Sequence, residues 1–230
     1  MNYACYCITR NLYDKVTPSI KSLLKNSNVG KIYLFIEDDE FPEPLPEKVE
    51  TVNVAGQTYF PPDGANYHTW CTYMVLMKIA LCKLLPEVDR ILAIDADAFA
   101  VRDISELWEI DLGDHLLAAV PECSKTTSHY TYINGGVVMW NLKEMRESGM
   151  ADRMIQALNM NEFEYGEQGC INTMCQGRIL RLPPEYNQCR YAEERPGEER
   201  IIHYAGEDAW WVWKEQFKIW DAVPWEEVLK

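Results

Sequence analysis

The sequence predicts a single α/β domain over residues 1–230. Apolar, β-branched runs of strand length alternate with segments of helical periodicity, and neither an internal repeat nor a flexible linker interrupts them. The length is also sufficient for one large hydrophobic core. Alternating strands and helices are typical of a sheet covered by helices, which is the architecture we expect here.

Strands and helices alternate most regularly in the first half of the chain. The predicted strands are residues 3–9, 31–37, 49–54, 90–94 and 115–120, and the predicted helices are residues 17–25, 70–85 and 103–110. Pro18 is expected in the first turn of its helix, where a missing N–H costs little, and Pro86 ends the next helix. The largely apolar runs 31–37 and 90–94 predict buried strands.

The second half is less regular. It predicts a strand at 132–142, helices at 143–160 and 167–175, and a strand at 178–182. Five of the eight tryptophans follow, at positions 210, 211, 213, 220 and 225. We expect them to pack a C-terminal helix onto the core, with a sugar platform or a membrane contact as alternatives. The acidic surplus of residues 201–230 argues against the membrane contact.

The composition excludes several classes of partner. The chain carries 36 acidic and 22 basic residues, a formal net charge of −14 that disfavours nucleic acid and anionic membranes but not metal cations. No apolar run reaches the roughly 18 residues of a membrane-spanning helix, and the first residues resemble a strand more than a signal peptide. Because the eight cysteines lack zinc-binding spacing, we expect free thiols and a cytoplasmic location.

Two aspartates directly after a buried strand are the strongest local signal. Asp95 and Asp97 follow the strand 90–94, at the edge where open α/β sheets bind ligands. The two like charges repel, and hard Mg²⁺ or Mn²⁺ prefers such oxygen ligands. As an alternative, the pair simply ends the strand and caps the segment near Asp103. A phosphatase of the haloacid-dehalogenase type is disfavoured, because its motif lies near the chain start and continues with Thr or Val where Phe99 stands.

Five segments, taken in order, resemble one known family. They are residues 89–108 around Asp95-Ala96-Asp97, 132–142 with Asn134-Gly135-Gly136, 165–172 with Glu167-Gln168, 184–187 (Pro-Glu-Tyr-Asn) and 202–206 with His203 and Gly206. This pattern is similar to that of family 8 glycosyltransferases, which include glycogenin and bacterial lipopolysaccharide galactosyl- and glucosyltransferases. The resemblance implies a GT-A type nucleotide-diphospho-sugar transferase domain, with a mixed, mainly parallel central sheet flanked by helices.

The resemblance also implies a metal site. Asp95 and Asp97 would bind Mn²⁺ or Mg²⁺, with His203 as the third protein ligand. Two carboxylates and an imidazole suit Mn²⁺, which would neutralise the charge on the departing diphosphate of a UDP-sugar. Taken alone, His203 has a hydrogen-bonded structural histidine as its alternative.

Further positions are assigned to the donor by the same resemblance. The nucleotide-binding set is Thr9, Asn11, Tyr13, Lys78, Ala96 and Gly206. Tyr13 would stack on uracil while Thr9 or Asn11 reads its edges, Lys78 would approach a donor phosphate or sugar, and the backbone of Ala96 would face the ribose. The alternatives are plain loop residues at 9–13 and a solvated helix lysine at 78.

Sugar binding and catalysis are assigned to the second half. Asn134 and Gly135 would contact the donor sugar. The predicted catalytic residues are Gln168 and Glu167, and Glu167 stands where the family usually has an Asp that hydrogen-bonds the donor sugar. Gln168 would lie beneath the anomeric carbon. Family members retain the anomeric configuration, and because Gln is a weak nucleophile we expect a front-face reaction in which the leaving phosphate takes the acceptor's proton. The acceptor would be a carbohydrate or glycoconjugate.

One departure from the family pattern leaves two functions open. Many members follow the closing His-x-x-Gly with Lys-Pro-Trp, whereas residues 207–210 here are Glu-Asp-Ala-Trp. Lys214 or Arg10 would have to replace that lysine, which touches the donor's β-phosphate. The sequence therefore predicts a metal-dependent transferase of glucose or galactose or, as the alternative, a UDP-sugar-binding protein without turnover.

Overall fold

The computed structural model describes residues 1–68, 72–123 and 132–230 and confirms an α/β fold with a mixed, mainly parallel sheet. The strands are β1 (Tyr3–Cys7), β2 (Lys31–Ile36), β3 (Val49–Asn53), β4 (Arg90–Ile94), β5 (Ala98–Ala100), β6 (Leu117–Pro121), β7 (Ile133–Asn141), β8 (Ile179–Arg181) and β9 (Ile201–His203). Seven of them form one sheet in the order β3-β2-β1-β4-β7-β6-β8, and β5 pairs with β9 in a second sheet.

The pairing of the strands determines which loops meet. Strand β1 is parallel to both β2 and β4, and β2 is parallel to β3. Strand β7 runs antiparallel to β4 and β6, whereas β6 and β8 are parallel. The carboxyl ends of β1, β4 and β6 and the start of β7 therefore lie at one edge of the sheet.

Helices cover both faces of this sheet. They are α1 (Tyr13–Lys25), α2 (Thr72–Leu84), α3 (Leu142–Glu147), α4 (Met150–Met160), α5 (Glu167–Met174), α6 (Trp210–Trp213), α7 (Glu215–Ala222) and α8 (Trp225–Val228). Leu92 and Ile94 of β4 are buried in the core that contains α1, and Ile91 and Ala93 in the core that contains α2. Burial on both faces explains why the central strands are apolar without alternation.

The first helix begins earlier than predicted. Helix α1 starts at Tyr13, not at Thr17, so Pro18 lies inside the helix and not in its first turn. Tyr13 and Val16 are buried against the core. Because tertiary packing supplies most of a helix's stability, this burial outweighs the single hydrogen bond that a proline removes.

Two other helix predictions are wrong in their extent. The predicted helix 143–160 is two helices, because Gly149 adopts a left-handed φ of 65° between α3 and α4. The predicted helix 103–110 is a short 3₁₀ turn, Ser105–Trp108. Both errors arise from local backbone geometry that apolar periodicity does not show.

The sequence predicted neither β5 nor β9. Each strand has three residues, which is too short for an alternating pattern to stand out. Their antiparallel pairing sets Ala98 opposite His203. A segment near the end of the chain is thereby carried to the edge where β4 ends.

The C-terminal tryptophans lie on three short helices in place of the one predicted. Trp210 is buried against Phe99, with ring centroids 6.0 Å apart, and the Lys21 ammonium lies 5.3 Å from the centre of the Trp225 ring. The predicted packing role is confirmed for Trp210, whereas Trp213 is 54% exposed. Every helix within residues 1–68, 72–123 and 132–230 is too short or too polar to cross a membrane.

Two predictions extend beyond the described residues. The predicted helix 70–85 corresponds to α2 from Thr72 onward, while positions 70 and 71 lie outside the described ranges. Cys71 is among them. The other seven cysteines are free thiols, as the sequence predicted.

Candidate active site

The three predicted metal ligands meet at the carboxyl edge of the sheet. Asp95 directly follows β4, Asp97 directly precedes β5, and His203 ends β9. One ligand atom from each lies within 4.8 Å of the other two. His203 Nε2 is 3.3 Å from Asp97 Oδ1 and 4.0 Å from Asp95 Oδ2. Two carboxylates and an imidazole at this spacing fit a divalent cation such as Mn²⁺.

A glycine at the start of β7 makes room for the histidine. A Cβ atom on Gly136 would lie 2.0 Å from His203 Cε1, so the ring packs directly on the backbone of β7. The carbonyl of Gly136 also accepts the N–H of Asp95 at 2.8 Å. Gly136 therefore fixes the positions of both His203 and Asp95.

Burial and charge have opposite effects on the pKa values of two of the predicted ligands, His203 and Asp97. Burial alone would lower the pKa of His203, but the carboxylates of Asp97 and Asp95 outweigh it and raise that pKa to about 10. Burial would raise the pKa of Asp97, and the neighbouring imidazolium lowers it instead. In the absence of a cation, a proton on His203 supplies the positive charge of this cluster.

A second charged cluster lies on the inner side of Asp95. Lys78 of α2 is 2% exposed, and its ammonium donates to Asp95 Oδ1 at 2.6 Å, to the Gly135 carbonyl at 3.1 Å and to Glu167 Oε1 at 3.5 Å. Burial would lower the pKa of Lys78, but Asp95 and Glu167 outweigh it and raise the pKa. Lys78 is thus a buried ion-pair partner and not a solvated helix lysine.

The two predicted catalytic residues begin helix α5. Burial raises the pKa of Glu167 to about 7, with Lys78 acting in the opposite direction. Gln168 Oε1 accepts the Gly135 N–H at 2.8 Å, and its Nε2 donates to Glu122 Oε1 at 3.2 Å. The side-chain amide of Gln168 is therefore held at both ends.

The asparagine predicted to face the donor sugar is held by internal hydrogen bonds. Asn134 Nδ2 donates to Glu122 Oε1 at 3.0 Å, and its Oδ1 accepts the Gly136 N–H at 3.0 Å and the Asn187 amide at 2.9 Å. One N–H of the Asn134 amide remains for a sugar hydroxyl. Its contact with a donor stays a prediction.

Glu122 was missed by the sequence analysis. It directly follows β6, whose carboxyl end lies at the same edge as Asp95, and it accepts from both Asn134 and Gln168. Desolvation raises its pKa. A carboxylate two residues after the predicted strand 115–120 was the available signal, and it was similar to the position of Asp95 after the strand 90–94.

Comparison with known proteins decides the family. The sequence model of Glycosyl transferase family 8 matches residues 4–214. The chain belongs to glycosyltransferase family 8. Membership confirms the resemblance carried by the five segments and sets aside the phosphatase alternative.

Curated relatives match most of this chain but at low identity. The probable glycosyl transferase Gly of Streptococcus gordonii is 24% identical over 180 residues, 71% of this chain and 26% of that protein. The lipopolysaccharide 1,2-glucosyltransferase of Escherichia coli strain K12 is 26% identical over 204 residues, 79% of this chain and 60% of that protein. The chain spans between 26% and 60% of the length of these curated relatives.

A solved structure shows the same GT-A fold. The crystal structure of the galactosyltransferase LgtC, in complex with donor and acceptor sugar analogs, matches with a TM-score of 0.70 at 17% identity over 98% of both chains. At this identity the likeness concerns the fold. It confirms the predicted mixed sheet flanked by helices.

The base-binding segment predicted from the family 8 resemblance follows β1 at the same edge. Thr9 Oγ1 donates to Asn11 Oδ1, and Asn11 is exposed. Tyr13 is 7% exposed, packs against Phe41 and accepts the Glu37 N–H at 2.8 Å. Because its ring is already packed, stacking of Tyr13 on uracil stays a prediction.

Two remaining positions of the predicted nucleotide set lie close in sequence to the predicted metal ligands. Ala96 is 6% exposed between the two aspartates. Gly206 is exposed and adopts a left-handed φ of 68°, with the Tyr191 hydroxyl 2.7 Å from where its Cβ would lie. The left-handed conformation favours glycine, and a side chain at this position would have to displace the Tyr191 hydroxyl. Contacts of either residue with a nucleotide stay predictions.

The two cations named as substitutes for the usual family 8 lysine are both paired. Lys214 forms an ion pair with Glu207, and its ammonium lies 3.6 Å from the centre of the Trp213 ring. Arg10 donates to Asp38 at 2.8 Å. Either side chain would have to leave its carboxylate to reach a diphosphate, so their substitution for the lysine stays a prediction.

Proposed function

We propose that this protein is a retaining, metal-dependent hexosyltransferase that moves glucose or galactose from a UDP-sugar to a carbohydrate or glycoconjugate acceptor. The proposal takes residues 1–230 as one catalytic domain and includes a cytoplasmic location. The observation that carries it is the cluster of Asp95, Asp97 and His203 at the carboxyl edge of a family 8 sheet. Those three side chains would hold Mn²⁺ or Mg²⁺, which supplies charge neutralisation for a departing diphosphate.

The chain's own residues account for the rest of the reaction. Gln168, fixed by Gly135 and Glu122, would stabilise positive charge at the anomeric carbon. The bond from that carbon to the donor phosphate breaks while the acceptor oxygen bonds on the same face, so the configuration is retained. The acceptor's proton passes to the leaving phosphate oxygen, which leaves no separate general base to be supplied by the protein.

The names of two similar proteins support the choice of substrates. The Escherichia coli relative is a lipopolysaccharide 1,2-glucosyltransferase, and the LgtC structure holds donor and acceptor sugar analogs. The first points to glucose and the second to galactose. A UDP-sugar-binding protein without turnover is the second candidate, favoured by the absence of lysine directly after Gly206.

Titration of UDP in the presence and absence of Mn²⁺, followed by assays of UDP-glucose and UDP-galactose hydrolysis, tests both candidates. We expect UDP binding that requires Mn²⁺, and slow hydrolysis of one donor. Asp97→Ala should abolish the metal-dependent binding. The matched control is Asp152→Ala, at an acidic residue whose side chain is 71% exposed and pairs with Lys83.

The outcomes separate the two candidates. Metal-dependent UDP binding without hydrolysis or transfer would favour the non-catalytic protein. Failure of UDP to bind would contradict both. For the mechanism, Gln168→Ala should slow transfer severely while the product keeps the donor's anomeric configuration, and an inverted product would contradict the front-face reaction.

A further inference from the structure

A chain of buried and partly buried hydrogen bonds runs from the candidate metal ligand His203 to the side-chain amide of Gln168, the candidate catalytic residue. His203 Nδ1 lies 2.8 Å from Asn187 Oδ1, and Asn187 Nδ2 donates to Asn134 Oδ1 at 2.9 Å. Asn134 Nδ2 then donates to Glu122 Oε1, which also accepts from Gln168. Asn187 itself is 0% exposed and has no contact in the reaction described above.

One backbone group fixes the direction of the hydrogen bonds that link Asn134, Asn187 and His203. The N–H of Gly136 is only a donor, and at 3.0 Å from Asn134 it requires an oxygen there. That oxygen also faces Asn187, so Asn187 must present its NH₂ group to Asn134. The other end of the Asn187 amide, its Oδ1, then faces His203 Nδ1.

This direction determines which nitrogen of His203 carries a proton. An amide oxygen only accepts, so Nδ1 must be the donor. A histidine that binds a metal through Nε2 has one proton, which in this arrangement lies on Nδ1. The Nε2 lone pair is then left facing Asp95 and Asp97.

We propose that Asn187 is a positioning residue, which holds the proton of His203 on Nδ1 and so keeps Nε2 available to the metal. This inference rests on the proposed metal-dependent function. Gly136 and Glu122 hold the side-chain amide of Asn134, and Glu122 also holds that of Gln168. One continuous network therefore orients both His203, the candidate metal ligand, and Gln168.

Two features of the surroundings strengthen the assignment. The His203 ring packs on the backbone of Gly136, so it has little room to turn away from Asn187. Cys189 is a second neighbour of the ring, but a thiol is a weaker hydrogen-bond acceptor than an amide oxygen. Asn187 is therefore the stronger partner of Nδ1.

The test measures the proton position and the metal affinity separately. In wild-type protein with ¹⁵N-labelled histidine and saturating Mg²⁺, we expect the His203 signal to show a protonated Nδ1 and an unprotonated Nε2. The chain has four histidines, so His203→Gln identifies that signal by its loss. Mn²⁺ affinity is measured from the electron paramagnetic resonance signal of free Mn²⁺. Asn187→Leu should weaken it by about 10- to 100-fold, the usual effect of losing a partner of a metal-binding histidine.

Two further variants separate positioning from general structure. Asn187→Asp loses the donor to Asn134 but keeps an acceptor for Nδ1, so it should keep the Nδ1 proton and bind Mn²⁺ at least as well as wild type. Asn66→Leu is the matched control. Asn66 is 1% exposed and bonded to backbone groups of residues 158, 161 and 163, so its loss should reduce stability but not Mn²⁺ affinity.

The outcomes distinguish this inference from the proposed function. Wild-type protein that does not bind Mn²⁺ contradicts the metal-dependent function and the inference with it. Wild-type protein that binds Mn²⁺ with the histidine proton on Nε2 overturns the inference alone, as does an unchanged affinity in Asn187→Leu. If Asn187→Leu does not fold, the wild-type proton position and Asn187→Asp still decide the question.

Discussion

Two clusters of charged side chains meet at Asp95, and they differ in the source of their positive charge. On the inner side the cation is Lys78, which is 2% exposed and lies between Asp95 and Glu167. On the outer side Asp95 and Asp97 face His203, where the cation is a proton that a bound metal would replace. The positive charge of the inner cluster belongs to a side chain and is a permanent part of the fold, whereas the positive charge of the outer cluster can be exchanged. Asp95 is therefore held by Lys78 on its inner side and faces the candidate metal site on its outer side.

The largest effect should come from removing the permanent cation. Lys78→Met leaves Asp95 and Glu167 without their buried counter-charge, which should lower the free energy of unfolding by about 3–5 kcal/mol in metal-free urea denaturation. Lys83→Met is the matched control, because Lys83 pairs with Asp152 at 2.6 Å near the surface. That variant should change stability by about 1 kcal/mol or less. Equal effects in the two variants would contradict a structural role for the inner cluster.

The second-largest effect should come from the packing of His203 against Gly136 in the outer cluster. Gly136→Ala places a Cβ 2.0 Å from His203 Cε1, so the ring must leave its present position beside Asp97. We expect a loss of about 1–3 kcal/mol in stability and a clear loss of Mn²⁺ affinity by electron paramagnetic resonance. Gly56→Ala, where a Cβ meets nothing within 4 Å, should alter neither. Normal Mn²⁺ binding by Gly136→Ala would contradict the placement of His203 in the metal site.

The exchangeable proton on His203 predicts that the affinity for Mn²⁺ depends on pH. The pKa of His203 is raised to about 10, so the ring is protonated at neutral pH and must lose a proton to bind Mn²⁺. Affinity should therefore rise with pH, by at most about tenfold per pH unit between pH 6 and 8. Titrations at pH 6, 7 and 8 measure the slope. His203→Gln should bind weakly with a smaller slope, and equal wild-type affinity at pH 6 and 8 would contradict the exchange.

The two sides of Asp95 were also unequally predictable from the sequence. Asp95 and Asp97 stand together after an apolar strand, so local pattern was enough to find them. His203 was found only through the family resemblance, because it reaches the site by the pairing of β5 and β9, whose three residues leave no periodic signal. Glu122 had a usable signal that was not used.

Other parts of the site depend on geometry that no residue pattern encodes. The segment containing Asn187 was recognised as a motif, yet its role needs the direction of three hydrogen bonds across separate elements. The alternative that Lys78 is a solvated helix lysine is wrong, because helix α2 directs that side chain into the interior. Alternation and capping describe the individual elements, whereas the partners of buried polar groups follow from how the elements pack.

The smallest expected effect distinguishes the two aspartates themselves. Asp97→Asn keeps a side-chain oxygen that can accept a hydrogen bond from His203 Nε2 while the ring is protonated. Because the ring can also release that proton, the free energy of unfolding without metal should fall by about 1 kcal/mol or less. Asp95→Asn instead removes the carboxylate at 2.6 Å from the Lys78 ammonium and leaves Glu167, at 3.5 Å, as its carboxylate partner within the described residues, which should cost about 2 kcal/mol. Urea denaturation of both variants without metal measures the difference, while both should lose Mn²⁺ binding. A larger loss of stability in Asp97→Asn would reverse the assignment, because it would make the outer cluster the permanent one.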